Sequence, residues 1–287
     1  MSKFSGIVCA LLCALGVLLF TGCGDSSKPA ANAPASGGDA LARIKKAGLI
    51  KWGADANGGA PYVYGDGDNV IGFEIDMMVK IAGHMGVKAE RVQGQWDSLL
   101  TDLANKRTDM VMNGIEINEL RSKTNNFSKP YFIYEQQLSV RAADKDTFKS
   151  LDDLKDKKIG VLSGTESINV LKRAGFKDEQ IVGHDDSKTP YENLNLKRCD
   201  AVLAEAIIAD FYAGPTKGMV KGIYNNPKTF SPGKYGVAVR KESDSDTLLA
   251  EIDRVLKLMK ESGELAEIYT KWNIWNDTQK ELGIVKK

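Results

Sequence analysis

The chain has 287 residues, with 39 Lys and Arg against 38 Asp and Glu, two His and four Cys, at 27% charged and 43% hydrophobic. A net charge of +1 gives neither the basic surplus of a nucleic-acid binder nor a field to collect a charged macromolecule. Two His and no paired Cys motif argue against a zinc centre, which leaves a neutral globular protein of one large or two moderate domains acting on a small ligand or partner.

In chain order, Lys3 supplies a positive start and 7–20 form an apolar run of signal-peptide length, too short and too rich in Ala and Gly for a membrane span. The run ends Leu18-Leu19-Phe20-Thr21-Gly22-Cys23, which resembles a bacterial lipobox, with Phe20 where Leu is usual. The resemblance implies cleavage of residues 1–22 and a lipid on Cys23. Losing Lys3, the one charge in 1–22, takes the net charge from +1 to zero. Cys199 is then left without an intrachain partner and reads as a structural thiol, since little His is available to activate it. Residues 23–40 are rich in Ala, Ser, Pro and Gly, and predict a flexible tether.

Beyond the tether, short β-rich runs at 49–54, 87–92, 110–113, 138–141, 158–162, 201–204 and 235–240 alternate with amphipathic segments. Phe73, Met77, Ile81 and Met85 share one helical face; so do Trp96, Leu99, Leu100 and Leu103, and again Leu248, Ile252, Val255, Leu256 and Met259. These stripes read as core faces. The alternation predicts an α/β protein with mostly parallel sheets, whose ligands sit at the carboxyl ends of strands. No Gly-rich stretch has phosphate-binding spacing, and no cofactor or metal is implied.

Several segments in register resemble the family 3 extracellular solute-binding proteins, the amino-acid receptors of ABC importers. They are Gly53-Ala54-Asp55 with Ala60-Pro61-Tyr62, then Ile71-Gly72-Phe73-Glu74-Ile75-Asp76, the run from Asp109 to Arg121, and Ile159-Gly160-Val161-Leu162-Ser163-Gly164-Thr165. Asp200 to Glu205 and Gly263 to Trp272 agree in place. The resemblance implies a two-lobed periplasmic-binding-protein-like fold of type II, with two hinge strands and the ligand in the interlobe cleft. One lobe is expected from 41–136 plus 234–287 and the inserted lobe from 137–233. It also implies a monomer outside the cytoplasm, held to a membrane by the lipid at Cys23 and working with an ABC permease and ATPase.

By the same resemblance Arg121 falls at the carboxylate-binding Arg, where a guanidinium fork suits a carboxylate better than Lys would. Thr165 and Gly164 would grip that carboxylate from the second lobe, at the start of a helix whose amino terminus favours anions; capping of that helix by Thr165 is the plainer alternative. Glu205 stands where relatives carry Asp for the ligand ammonium, with the Gly114 carbonyl beside it. Glu116 stands where relatives have Thr or Ser, and is either a second carboxylate for the amine or a contact to the ligand side chain. Asp55, Tyr62, Trp96 and Leu162 would face that side chain, with Tyr64 a weaker second wall. Three acids against one Arg predict a cationic side chain, which would cancel the surplus.

Two other classes share these features. A cyclohexadienyl dehydratase has this fold and a similar Gly-Ile-x-Ile-Asn-x-x-Arg run, matched by 114–121, but its general acid falls where this chain has Ile208. A ligand-sensing module would need a separate signalling partner.

Overall fold

The computed structural model describes residues 38–287 other than 58 and 216. The export signal expected at 1–22, Cys23 and the tether up to residue 37 lie outside the described residues. The first element is the helix Ala40–Ala47, where Asp39 accepts the Ala42 N–H at 2.8 Å and a left-handed Gly48 ends the helix. The Asp39 cap and the first residue of this helix, Ala40, lie inside the span expected as tether.

Two mixed sheets carry the architecture. In the first, the strand order is Lys88–Gln93, Leu49–Ala54, Met110–Val111, Ala238–Arg240, Asn125–Phe127. The second has the order Ile223–Asn225, Phe132–Arg141, Ala201–Glu205, Ile159–Leu162, Ile181–His184, with Phe230–Tyr235 also paired to Phe132–Arg141. Mostly parallel sheets are therefore not what forms. Leu49–Ala54 runs parallel to both its neighbours, as does Ile159–Leu162. The antiparallel ladders belong to Phe132–Arg141 and Ala238–Arg240, where the chain crosses between sheets and returns.

The crossing strands lie side by side, Phe132 opposite Tyr235 and Tyr134 opposite Gly233, with a register shift between Phe230 and Gly233. Tyr134 and Phe132 both stack on Tyr235, at 4.5 and 5.9 Å between centroids. Gln279, fully buried, donates to the Ile133 carbonyl at 2.8 Å and accepts its N–H at 2.9 Å, so the C-terminal turn pins the start of the crossing. This pair of strands is the hinge of the two-lobed fold.

Helices cover the sheets as the periodicity predicts. Phe73, Met77, Ile81 and Met85 of helix Phe73–Met85 are buried, as are Leu248, Ile252, Val255, Leu256 and Met259 of helix Asp246–Ser262. Each such side chain contributes about 1.5–3 kcal/mol on leaving water. The second sheet has its own apolar cluster built on Leu138, Ile159, Val161, Leu171 and Leu203. Among the described residues no helix is long and apolar enough to cross a membrane. Cys199 is buried, and burial pushes its thiol up to about 11, the state of an inert core residue.

Candidate functional site

The segments that follow Ala54, Val111, Leu162 and Glu205 meet at the carboxyl ends of these strands. Six of the ten residues expected at the site line one cavity there: Tyr62, Trp96 and Gly114 from the first lobe, with Leu162, Thr165 and Glu205 from the second. Its free space is about 310 Å³, mouth included. Asn113, Ser187 and Ile208 also line it, and sequence reasoning assigned none of these a contact. Ile208, which the resemblance to a cyclohexadienyl dehydratase sets at the place of an acid, is an apolar part of the lining.

Gly114 turns the chain with φ +64°, and a Cβ there would come within 2.8 Å of the Tyr62 ring. That ring is held by a 2.6 Å hydrogen bond between the Tyr62 and Tyr235 hydroxyls. Behind the turn sits Glu74, which accepts the Gly114 N–H at 2.8 Å and the Tyr131 hydroxyl. Full burial raises the Glu74 carboxyl to about 7. The sequence gives a partial signal for it, an acid directly after Phe73 on an otherwise apolar helical face.

Arg121 lies in the single-turn helix Glu119–Ser122, whose first turn is fixed by the Asn118 side chain accepting the Arg121 N–H at 2.9 Å. Its guanidinium pairs with the Glu116 carboxylate, donates to the Glu116 carbonyl at 3.3 Å, and reaches across to the Gly164 carbonyl at 2.9 Å. It stands over the Trp96 ring, 5.5 Å from the centroid. Trp96 itself is half-buried and donates its indole N–H across the cleft to the Ser163 carbonyl at 3.0 Å. Gly164 has φ +69°, and a Cβ there would come to 3.1 Å from Asp97 and 3.3 Å from the indole nitrogen.

Thr165 does not cap the helix Glu166–Arg173 with its side chain; the hydroxyl donates instead to the Leu162 carbonyl at 2.8 Å. The first N–H of that helix, on Glu166, is met by the second oxygen of Glu116 at 3.1 Å. Glu116 is 1% exposed, so its carboxylate is spent on Arg121 and on the helix start.

Asp55 is equally buried and equally engaged. It accepts from the Asn57 N–H at 2.8 Å, the Gln93 amide at 2.9 Å and the Trp96 N–H at 3.0 Å. These bonds shape the turn after Ala54 and hold Trp96 in place; Asp55 is not among the cavity-lining residues.

Glu205 differs. It ends the strand Ala201–Glu205, is 4% exposed, lines the cavity, and has no cationic ion-pair partner within 4 Å among the described residues. Burial first, then the neighbouring Glu116, push its carboxyl up to about 8, against a smaller pull from Arg121. Tyr64 stays outside the cavity, its ring 5.2 Å from Phe211 and capped by Lys217, whose ammonium lies 3.2 Å from the Tyr64 hydroxyl. No group of three or more metal-binding side chains occurs among the described residues.

Residues 50–274 match the model of a family described as bacterial extracellular solute-binding proteins, family 3. The chain is 31% identical over 232 residues to the L-cystine-binding protein TcyJ of Escherichia coli K12, covering 81% of this chain and 85% of that protein. It is 32% identical over 271 residues to a probable histidine-binding protein of Neisseria gonorrhoeae, covering 93% and 94% of the two chains. A mutant of the arginine-binding protein ArgBP from T. maritima superposes with a TM-score of 0.72 at 30% identity, over 82% of this chain and 99% of that one. An ancestral amino acid-binding protein described as a precursor of cyclohexadienyl dehydratase gives a TM-score of 0.72 at 29% identity, over 81% and 98%.

Proposed function

The chain belongs to the bacterial extracellular solute-binding proteins, family 3, and from that premise we propose that it captures an L-amino acid in this cleft for an ABC permease and ATPase. The observation that carries the reading is an Arg and an acid on opposite sides of the cleft, Arg121 beside the cavity and Glu205 in its lining. Arg121 projects from the first lobe toward the start of helix Glu166–Arg173, and Glu205 stands buried in the second without a cationic ion-pair partner among the described residues. A zwitterion presents the complementary pair, and each of its charges must be matched if it is to leave water. Its carboxylate would meet Arg121, Thr165 and the turn at Gly164; its ammonium would displace the proton of Glu205 and lie near Gly114.

The ligand side chain would run between Trp96, Tyr62, Leu162 and Ile208. The case for a cationic side chain rested on three surplus acids, and two of them are already spent: Asp55 on three donors and Glu116 on Arg121. Glu205 alone remains, and the α-ammonium takes it. We therefore read the side chain as polar and uncharged. Closure between the lobes would carry the signal to the importer, because a ligand that touches both lobes favours the closed population.

A thermal-shift screen against the twenty amino acids and cystine tests this. A ligand at 100 times its Kd raises stability by about 2.7 kcal/mol. One uncharged amino acid should stand out; a response to arginine or lysine alone would restore the cationic side chain, and silence throughout would end the amino-acid reading. The protein would work outside the cytoplasm as a monomer held by a lipid on Cys23. Incorporation of labelled palmitate that survives Cys23→Ala would remove the anchor.

A further inference from the structure

Glu116 occupies the seat that the proposed function gives to the ligand. An amino-acid carboxylate would offer one oxygen to the Arg121 guanidinium and the other to the N–H groups that open helix Glu166–Arg173. Glu116 makes both contacts now, one oxygen on Arg121 and the other 3.1 Å from the Glu166 nitrogen. Arg121 and Glu116 are on the first lobe, while Glu166 and Gly164 are on the second. The lobes are thus bridged by a carboxylate of the chain's own, reinforced by Arg121 to the Gly164 carbonyl at 2.9 Å and Trp96 to the Ser163 carbonyl at 3.0 Å.

The mount of this side chain is rigid. The Glu116 backbone forms a bridge to Tyr235 of the returning hinge strand, and the next N–H, of Ile117, donates to the Lys234 carbonyl at 2.9 Å. Two carboxylates cannot share one guanidinium and one helix start at such short range, because like charges there oppose joint ionisation. A Thr or Ser at this position could not reach across the cleft with two acceptor oxygens.

Resting on the amino-acid reading above, we propose that Glu116 is an internal stand-in for the ligand's carboxylate, which draws the lobes together and which the ligand must displace. The competition sets affinity. A protein whose binding-competent form is only a fraction of the total shows an affinity reduced by that fraction. Once displaced, Glu116 leaves Arg121 to the ligand and turns out of the cleft to water, so Glu205 stays the one acid facing the ligand, and its repulsion by Glu116 is relieved as the ligand ammonium arrives.

The test uses Glu116→Gln, which keeps the shape, and Glu116→Thr, which removes the reach. Isothermal titration with the amino acid found by the screen should show both variants binding more tightly, by about tenfold where one molecule in ten is competent in the parent. Small-angle scattering of the ligand-free proteins should give both variants a larger radius of gyration than the parent, with equal radii at saturation. Unchanged or weaker binding in Glu116→Gln overturns the proposal and makes Glu116 a ligand contact. An unchanged ligand-free radius in both variants overturns it as well. Should the parent bind no amino acid at all, the amino-acid reading fails on its own, and the ligand-free radius still decides whether Glu116 bridges the lobes.

Discussion

Glu74 and Glu205 are both buried acids, both raised by desolvation, to about 7 and about 8, yet they serve different ends. Glu74 lies behind Gly114 in the first lobe, where a backbone N–H and the Tyr131 hydroxyl meet one oxygen and the core encloses the other. Glu205 ends a strand of the second lobe, lines the cavity and has no cationic ion-pair partner among the described residues. The first is scaffold, shaping the turn that the ligand would touch. The second is the group proposed to meet the ligand ammonium. Burial and a raised pKa therefore do not by themselves mark a site; an unmatched acid facing open space does.

That contrast can be broken in several ways. The largest effect is expected from Arg121→Ala, which strands a buried carboxylate and should weaken binding by on the order of 3–5 kcal/mol. Calorimetry reads this directly, and retained affinity would move the carboxylate seat elsewhere. Glu205→Gln should cost about 1.5–3 kcal/mol of binding, since it removes the charged partner of the ammonium. Glu74→Gln, in the same assay, should leave affinity unchanged while lowering the melting temperature; equal losses from both variants would dissolve the distinction.

Stability against pH separates them again. Both carboxyls hold their protons in the folded protein after the unfolded chain has released them near 4.5, so the unfolded state binds fewer protons in between. Stability should thus be greatest below about 4.5 on their account and fall as pH rises, through about 7 for Glu74 and about 8 for Glu205. Thermal melts across pH 5 to 8 should show the decline, flattened below pH 7 in Glu74→Gln and up to pH 8 in Glu205→Gln. A slope untouched by either substitution would place the titration in other groups. The smallest effect is expected from Trp96→Phe, which keeps the aromatic wall but loses the bond to the Ser163 carbonyl, at about 1 kcal/mol of binding.

Much of the fold is legible in the sequence. The strand Leu49–Ala54 has the expected limits, and the apolar stripes of the two long helices are buried as their spacing requires. Tyr64–Asp66, Asn69–Ile71, Asn125–Phe127, Ile181–His184 and Ile223–Asn225 fall outside the expected runs, and two of the expected runs are misjudged, each for a local reason. Phe132–Arg141 begins six residues before the expected 138, because Gln136 and Gln137 interrupt an apolar run; Gln136 is nonetheless buried, its carbonyl accepting the Ser167 hydroxyl at 2.8 Å. The run 235–240 is broken after Tyr235, where Gly236 lets Ile117 pack so closely that a Cβ would come to 2.8 Å from its methyl.

The sequence by itself determined the alternation of elements and the core faces, because these follow from periodicity, and through the family resemblance it named the charged candidates for the cleft. The tertiary structure alone decided which of those charges are already matched. Asp55 meets Trp96 from 41 residues away, and Glu116 meets Glu166 from 50. An acid's charge can be read from its residue type. Whether that charge is free for a ligand depends on donors that only folding brings within about 3 Å, and of the three acids expected to face the ligand, folding left one.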